Sequence, residues 1–166
     1  MKQTANFPNT QTETAMRPIG HALPLFRRIL VPTDFSQRSE IAIDYAVELA
    51  RRMNAQLTLL HVLPEPSALD YDLGGFPPEE LAQAEEEAKQ KLAAELAHAK
   101  LSLLEVDSKL RTGVDLHDEI IGTAKLISAD LLVLSTHGYT GWKHLLFGSD
   151  AEKILEHAPC PILVVR

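Results

Sequence analysis

A single cysteine in 166 residues, Cys160, leaves no internal disulfide framework to hold the fold and suits a reducing compartment. In "APCPILVV" it reads as a small buried residue. No apolar run approaches the ~20 residues that a membrane-spanning helix needs, which excludes membrane insertion. Positive charge is also short: 16 Lys and Arg stand against 23 Asp and Glu, giving a net charge of −7. No global positive field is available to draw in a nucleic-acid backbone, so no nucleic-acid partner is expected. Residues 1–24 lack the roughly 7–15-residue apolar core of a secretion signal. Their Thr, Asn, Gln and Pro content suits a flexible leader that cannot bury enough apolar area to offset its ordering entropy. The expectation is a cytoplasmic protein whose fold occupies residues 25–166.

Several motifs are missing as well. No G-x-G-x-x-G follows the first apolar run and no G-x-x-x-x-G-K-[ST] occurs, so dinucleotide and P-loop sites have no support. No G-x-S-x-G marks a hydrolase elbow. Seven histidines are present, yet without H-E-x-x-H or paired cysteines no metal ligand set is assembled locally.

What is there is a soluble globular composition, 45% apolar and 23% charged, in a length that buries roughly 70% of the unfolded surface as one domain. Apolar runs at about Arg28–Pro32, Ala55–Leu63, Leu103–Gly113, Asp130–Ser135 and Pro161–Arg166 read as five strands. The third is the least apolar and so belongs near an edge. Helical patterns separate the strands. The first has Ser36 as N-cap and Ala42, Tyr45, Ala46, Leu49 and Met53 on one face. The second threads Leu81, Ala84, Ala88, Leu92 and Leu96. Alternation of this kind predicts an α/β fold, a single open parallel five-stranded sheet with helices on both faces and right-handed crossovers. Ligands of such sheets bind where strands exit and the winding reverses, which singles out Pro32-Thr33-Asp34, His61-Val62, Thr112-Gly113 and Ser135 to Gly138.

The stretch "STHGYTGWKHLLFGSD", Ser135 to Asp150, places Gly148-Ser149 at the start of the last helix, where free N–H groups and the helix dipole form an anion site. Gly138 lacks a Cβ and lets a phosphate approach the backbone. The competing reading is that Ser149 and Glu152 form a capping box that satisfies the same donors without a ligand. Spacing alone leaves both open.

From Arg27 to Arg166 the chain resembles the universal stress protein family. The pieces that carry the likeness are "ILVPTDFS", "LTLLHV", "STHGYTGWKHLLFGS" and "ILEHAPCPILVV". The resemblance implies a Rossmann-like sheet of the adenine nucleotide alpha hydrolase type that binds ATP or AMP. Its nucleotide-binding branch carries G-x-x-G-x9-G-[ST]. Here Ser135 holds the first glycine position, and Gly138, Gly148 and Ser149 match the rest. Carried over residue by residue, Pro32, Thr33 and Val62 border the adenine, and Asp34 accepts a hydrogen bond from the ribose, its alternative being to cap the following helix around Ser36. Gly138, Gly148 and Ser149 bind the phosphates. His137 packs within the loop. Asp150 favours the helix dipole but repels a phosphate at ~6 Å by roughly 3 kcal/mol, a conflict relieved by turning away or by sharing Mg²⁺ with the phosphates.

The family also implies a homodimer formed by antiparallel pairing of "PILVVR". Trp142 is expected to pack under the glycine loop or in the subunit contact. Beyond the dimer, a protein partner of unknown identity would receive the signal. Lys143 is the only nearby cation, so slow ATP hydrolysis is the most that is expected, not an enzyme. A second reading is a nucleotide-free dimeric adaptor. The loop from Pro64 to Pro78 leaves the second strand on the ligand side, where it can serve as a lid.

Overall fold

A computed structural model of the chain describes residues 26–65, 77–100, 105–135 and 149–166. The leader, residues 66–76 of the lid candidate, and His137, Gly138, Trp142, Lys143 and Gly148 of the glycine loop lie outside the described residues.

The elements run β1 (Arg28–Pro32), α1 (Gln37–Met53), β2 (Gln56–Pro64), α2 (Pro78–Lys100), β3 (Val106–Gly113), α3 (Leu116–Leu126), β4 (Leu131–Ser135), α4 (Ser149–His157) and β5 (Ile162–Val165). All five strands are parallel, in the order β3-β2-β1-β4-β5. The edge position expected for the third strand is the one it takes.

Side chains alternate across the central strands and divide the core in two. Ile29 and Val31 of β1, Leu57 and Leu59 of β2 and Val133 of β4 face α1 and α2. Leu30, Leu60, Val62, Leu132 and Leu134 face Ile120 of α3 and Ile154 of α4. Both faces of the sheet are therefore covered, which is why these strands read as continuous apolar runs. At the N-terminal end, the Asp130 carboxylate accepts the backbone N–H groups of Arg27 and Arg28 at 2.9–3.0 Å and so ties β1 to β4.

Ser36 caps α1, its Oγ accepting the Ser39 N–H at 3.2 Å, and Asn54 closes the helix in a left-handed conformation. The buried stripe of α1 is rotated from the one expected. It runs through Ser39, Ala42, Ile43, Ala46 and Ala50, while Tyr45 is 57% exposed and Leu49 and Met53 are half-buried. Small residues let the helix lie close on the sheet, and a tyrosine in that stripe would hold it off. In α2, Ala88 and Leu92 are buried as expected, Ala84 is exposed, and Ala99 extends the buried line. Cys160 is half-buried at the margin of the second core cluster, not enclosed by it, with burial and the nearby Asp130 pushing its thiol pKa up.

Candidate functional site

The winding reverses between β1 and β4, and in sheets of this kind ligands bind at the C-terminal ends of the strands near such a reversal. The β1 exit builds one wall. Pairing with β2 ends at Pro32 opposite Leu60, and the Thr33 N–H still reaches the Leu60 carbonyl at 2.8 Å. The chain then turns through Asp34 and Phe35 into the cap of α1.

Asp34 is 6% exposed. Its Oδ1 accepts the Ser36 N–H at 3.1 Å, a local turn that short acidic side chains favour. Its Oδ2 is buried with no hydrogen-bond partner among the described residues. The capping role considered for this residue is thus filled by one oxygen only. Leaving a buried acceptor unmatched costs roughly 1–3 kcal/mol, so the second oxygen calls for a donor.

Phe35 sits at φ 62, a left-handed conformation that non-glycine residues adopt at a cost of roughly 1–2 kcal/mol. Its ring stacks on His61, with centroids 4.1 Å apart, and the Lys91 ammonium lies 5.7 Å from the ring centre. His61 Nδ1 is 2.8 Å from the Thr33 carbonyl. A carbonyl only accepts, so Nδ1 carries the proton and Nε2 is the lone-pair nitrogen of the neutral ring. Burial lowers the His61 pKa, partly opposed by the Thr33 carbonyl and Asp34, while Lys91 adds to the lowering.

Behind this turn lies a buried polar cluster. Thr33 is fully buried; its hydroxyl accepts the Phe35 N–H at 3.1 Å and donates to Glu95 Oε1 of α2 at 3.0 Å. Ser39 Oγ, 3.1 Å from the same hydroxyl, donates to the Ser36 carbonyl. Burial raises the Glu95 pKa from 4.5 to about 7, with Glu40 and Asp34 adding to the rise and the Thr33 hydroxyl opposing it. Its Oε2 is buried without a hydrogen-bond partner among the described residues.

Folding therefore favours protonated Glu95. Between pH 4.5 and about 7 the native state binds more protons than the unfolded chain, so stability is full below this window and falls as pH rises through it. Sealed from solvent, such a group would lose ~3 kcal/mol. Water reaches part of this side chain, so the expected loss is ~1–2 kcal/mol. Urea unfolding at intervals from pH 5 to 8 checks this, and Glu95→Gln should flatten the slope.

These elements enclose a cavity of about 490 Å³, on whose wall stand Asp34, His61, Val62, Lys91, Gly113 and Leu116. That volume is within the range of small-molecule sites. At Gly113 a Cβ would come within 2.5 Å of Glu119 Cγ, so a larger residue there would have to displace the Glu119 side chain.

Of the residues expected from sequence, Asp34 and Val62 meet on this wall. Pro32, Thr33 and Ser135 are buried at the ends of β1 and β4 and do not line the cavity; the Thr33 side chain is turned to Glu95. Ser149 and Asp150 form the first turn of α4. Phe35, Lys91 and Leu116 were not expected. His61 and Gly113 stand among the strand exits, and that position was their signal.

Fold and cavity together define a single-domain α/β protein of the doubly wound parallel class with a ligand-sized hollow at the exits of β1, β2 and β3. The chain belongs to the universal stress protein family, whose sequence model matches residues 25–166. Universal stress protein YxiE of Bacillus subtilis is 32% identical over 149 residues, covering 86% of this chain and all of the relative. Universal stress protein MJ0577 of Methanocaldococcus jannaschii is 29% identical over 157 residues, covering 86% of this chain and 96% of the relative. The solved structure of MJ0577 superimposes with a TM-score of 0.72, covering 85% of this chain and 96% of that one. The universal stress protein of Archaeoglobus fulgidus, solved in complex with dAMP, shares the fold at a TM-score of 0.62 and 22% identity, covering 86% of this chain and 99% of that one.

Proposed function

We propose that this chain binds an adenine nucleotide, with the adenosine in the cavity and the phosphates at the glycine loop. The observation that carries the reading is Asp34, on the wall of a hollow of suitable size, whose buried Oδ2 has no hydrogen-bond partner among the described residues. A ribose hydroxyl is the donor it lacks. Val62 and Leu116 offer an apolar surface to the base, while Pro32 and Thr33 support the turn from behind. Ser135, His137, Gly138, Gly148 and Ser149 surround the phosphates, with the α4 N-terminus facing them. The fold relative that holds dAMP supports an adenine nucleotide as the class of ligand. Asp150 in the first turn of α4 sets the preference between AMP and ATP, and Mg²⁺, where it accompanies ATP, supplies charge neutralisation between Asp150 and the phosphates.

In this reading the protein is a cytoplasmic stress-response regulator, not an enzyme beyond slow ATP hydrolysis. It signals occupancy to a protein partner through a homodimer built on β5, an edge strand whose Val164 is 40% exposed. The second reading, a nucleotide-free dimeric adaptor, is favoured by the Ser36 bond that already occupies Asp34 Oδ1.

Denaturing the purified protein and analysing the released small molecules, with thermal unfolding in AMP or ATP and Mg²⁺, separates the two. At a hundredfold excess over Kd the first reading expects roughly 2.7 kcal/mol of stabilisation, a rise in Tm of roughly 5–10 °C. Absence of both released nucleotide and a shift would favour the adaptor.

A further inference from the structure

The β1–β2 register stops at Pro32, and the next carbonyl, that of Thr33, is bonded by a side chain: His61 Nδ1–H, at 2.8 Å. The same imidazole stacks on Phe35, the left-handed residue of the turn. Asp34 lies between these two attachments. One ring on rigid β2 therefore grips the chain immediately before and immediately after the carboxylate that faces the cavity, and it opposes relaxation of the strained φ at Phe35.

We propose that His61 is the positioning residue of the site, a two-point clamp that holds Asp34 in binding geometry. The proposal rests on reading the cavity as the nucleotide site, and it assigns separate tasks to the two halves of the imidazole. The Nδ1–H fixes the Thr33 carbonyl and hence the direction of the Asp34 side chain. The ring face supplies packing and contributes to stability.

The two tasks can be split by substitution. Asparagine carries its amide nitrogen one bond beyond Cγ, where histidine carries Nδ1, so His61→Asn keeps the donor and loses the ring. His61→Leu keeps apolar bulk and loses the donor. His61→Gln moves the donor one bond outward. If the clamp operates, Kd for AMP by calorimetry rises about tenfold in His61→Leu and His61→Gln but no more than about threefold in His61→Asn. Tm follows the opposite order for the first and last of these, because the asparagine variant has given up the stack. A purely structural histidine would make Kd and Tm move together.

A second measurement does not depend on a ligand. Hydrogen exchange at the Ser36 amide, the donor to Asp34 Oδ1, should quicken about tenfold in His61→Leu and remain near wild type in His61→Asn. Wild-type affinity in His61→Leu, or Ser36 exchange that is equal in both variants, overturns the clamp. Wild-type protein that binds no nucleotide, with the exchange contrast intact, overturns the reading of the cavity and leaves the clamp standing.

Discussion

An Asp34→Ala variant is expected to bind AMP or ATP roughly ten- to a hundredfold more weakly than wild type. The argument is local. A hydrogen bond to a charged acceptor contributes about 1.5–3 kcal/mol, and each 1.4 kcal/mol is about tenfold in Kd. Among the described residues Asp34 Oδ2 has no hydrogen-bond partner, so the bond it lacks is left for a ribose hydroxyl. Loss of the carboxylate also strips the Ser36 N–H of its acceptor, which loosens the turn and lowers stability by about 1 kcal/mol. Asp34→Asn separates these contributions. Its amide oxygen can still accept from Ser36, so the fold keeps its stability, while the uncharged group binds ribose about tenfold less well than wild type. Calorimetric titration with chemical unfolding reads both quantities. Unchanged Kd in Asp34→Ala would move the ligand elsewhere.

The largest effect on stability is expected from Leu30→Ala. Leu30 lies in the central strand, fully buried among Leu60, Ile120, Leu132 and Ile154, none of which is exposed. Neighbours fixed on two strands and two helices cannot collapse into the space left behind, so the cost lies toward the upper part of the ~2–5 kcal/mol seen for buried leucines. A domain of this size has about 5–15 kcal/mol in total. The variant should therefore unfold at distinctly lower urea with an unchanged m-value. Val114→Ala, at a side chain 65% exposed, should stay within about 0.5 kcal/mol of wild type. A loss below 1 kcal/mol in Leu30→Ala would contradict the packing described for the second core cluster.

The strands, their parallel order of alternation and the edge position of β3 were legible because burial on both faces leaves an unmistakable apolar run, and because "VDSKLRT" breaks that run. Asp34 was legible from its place at a strand exit. The buried stripe of α1 was not. Ala42 and Ala46 are common to two possible faces, and the choice between Tyr45 and Ile43 is made by how closely the helix lies on the sheet, a tertiary quantity. Lys91 escaped for a related reason. It sits among exposed polar residues of α2, and only the crossing of that helix over the exits of β1 and β2 brings its ammonium to the Phe35 ring. The half-used state of Asp34 was likewise invisible, since an acidic residue two positions before Ser36 is equally consistent with a complete helix cap.

The strand order has a consequence for biogenesis. The middle strand of the sheet is the first to leave the ribosome, yet its partner on one flank begins only at Leu131, and the Asp130 tie to Arg27 spans 103 residues. At about 5–20 residues per second, the interval before that flank can be sealed is roughly 5–20 s. Throughout it, Ile29-Leu30-Val31 presents an unsealed, strongly apolar ribbon to the nascent-chain environment. A segment fully buried in the finished protein is thus at risk of mispairing for that long while it is being made.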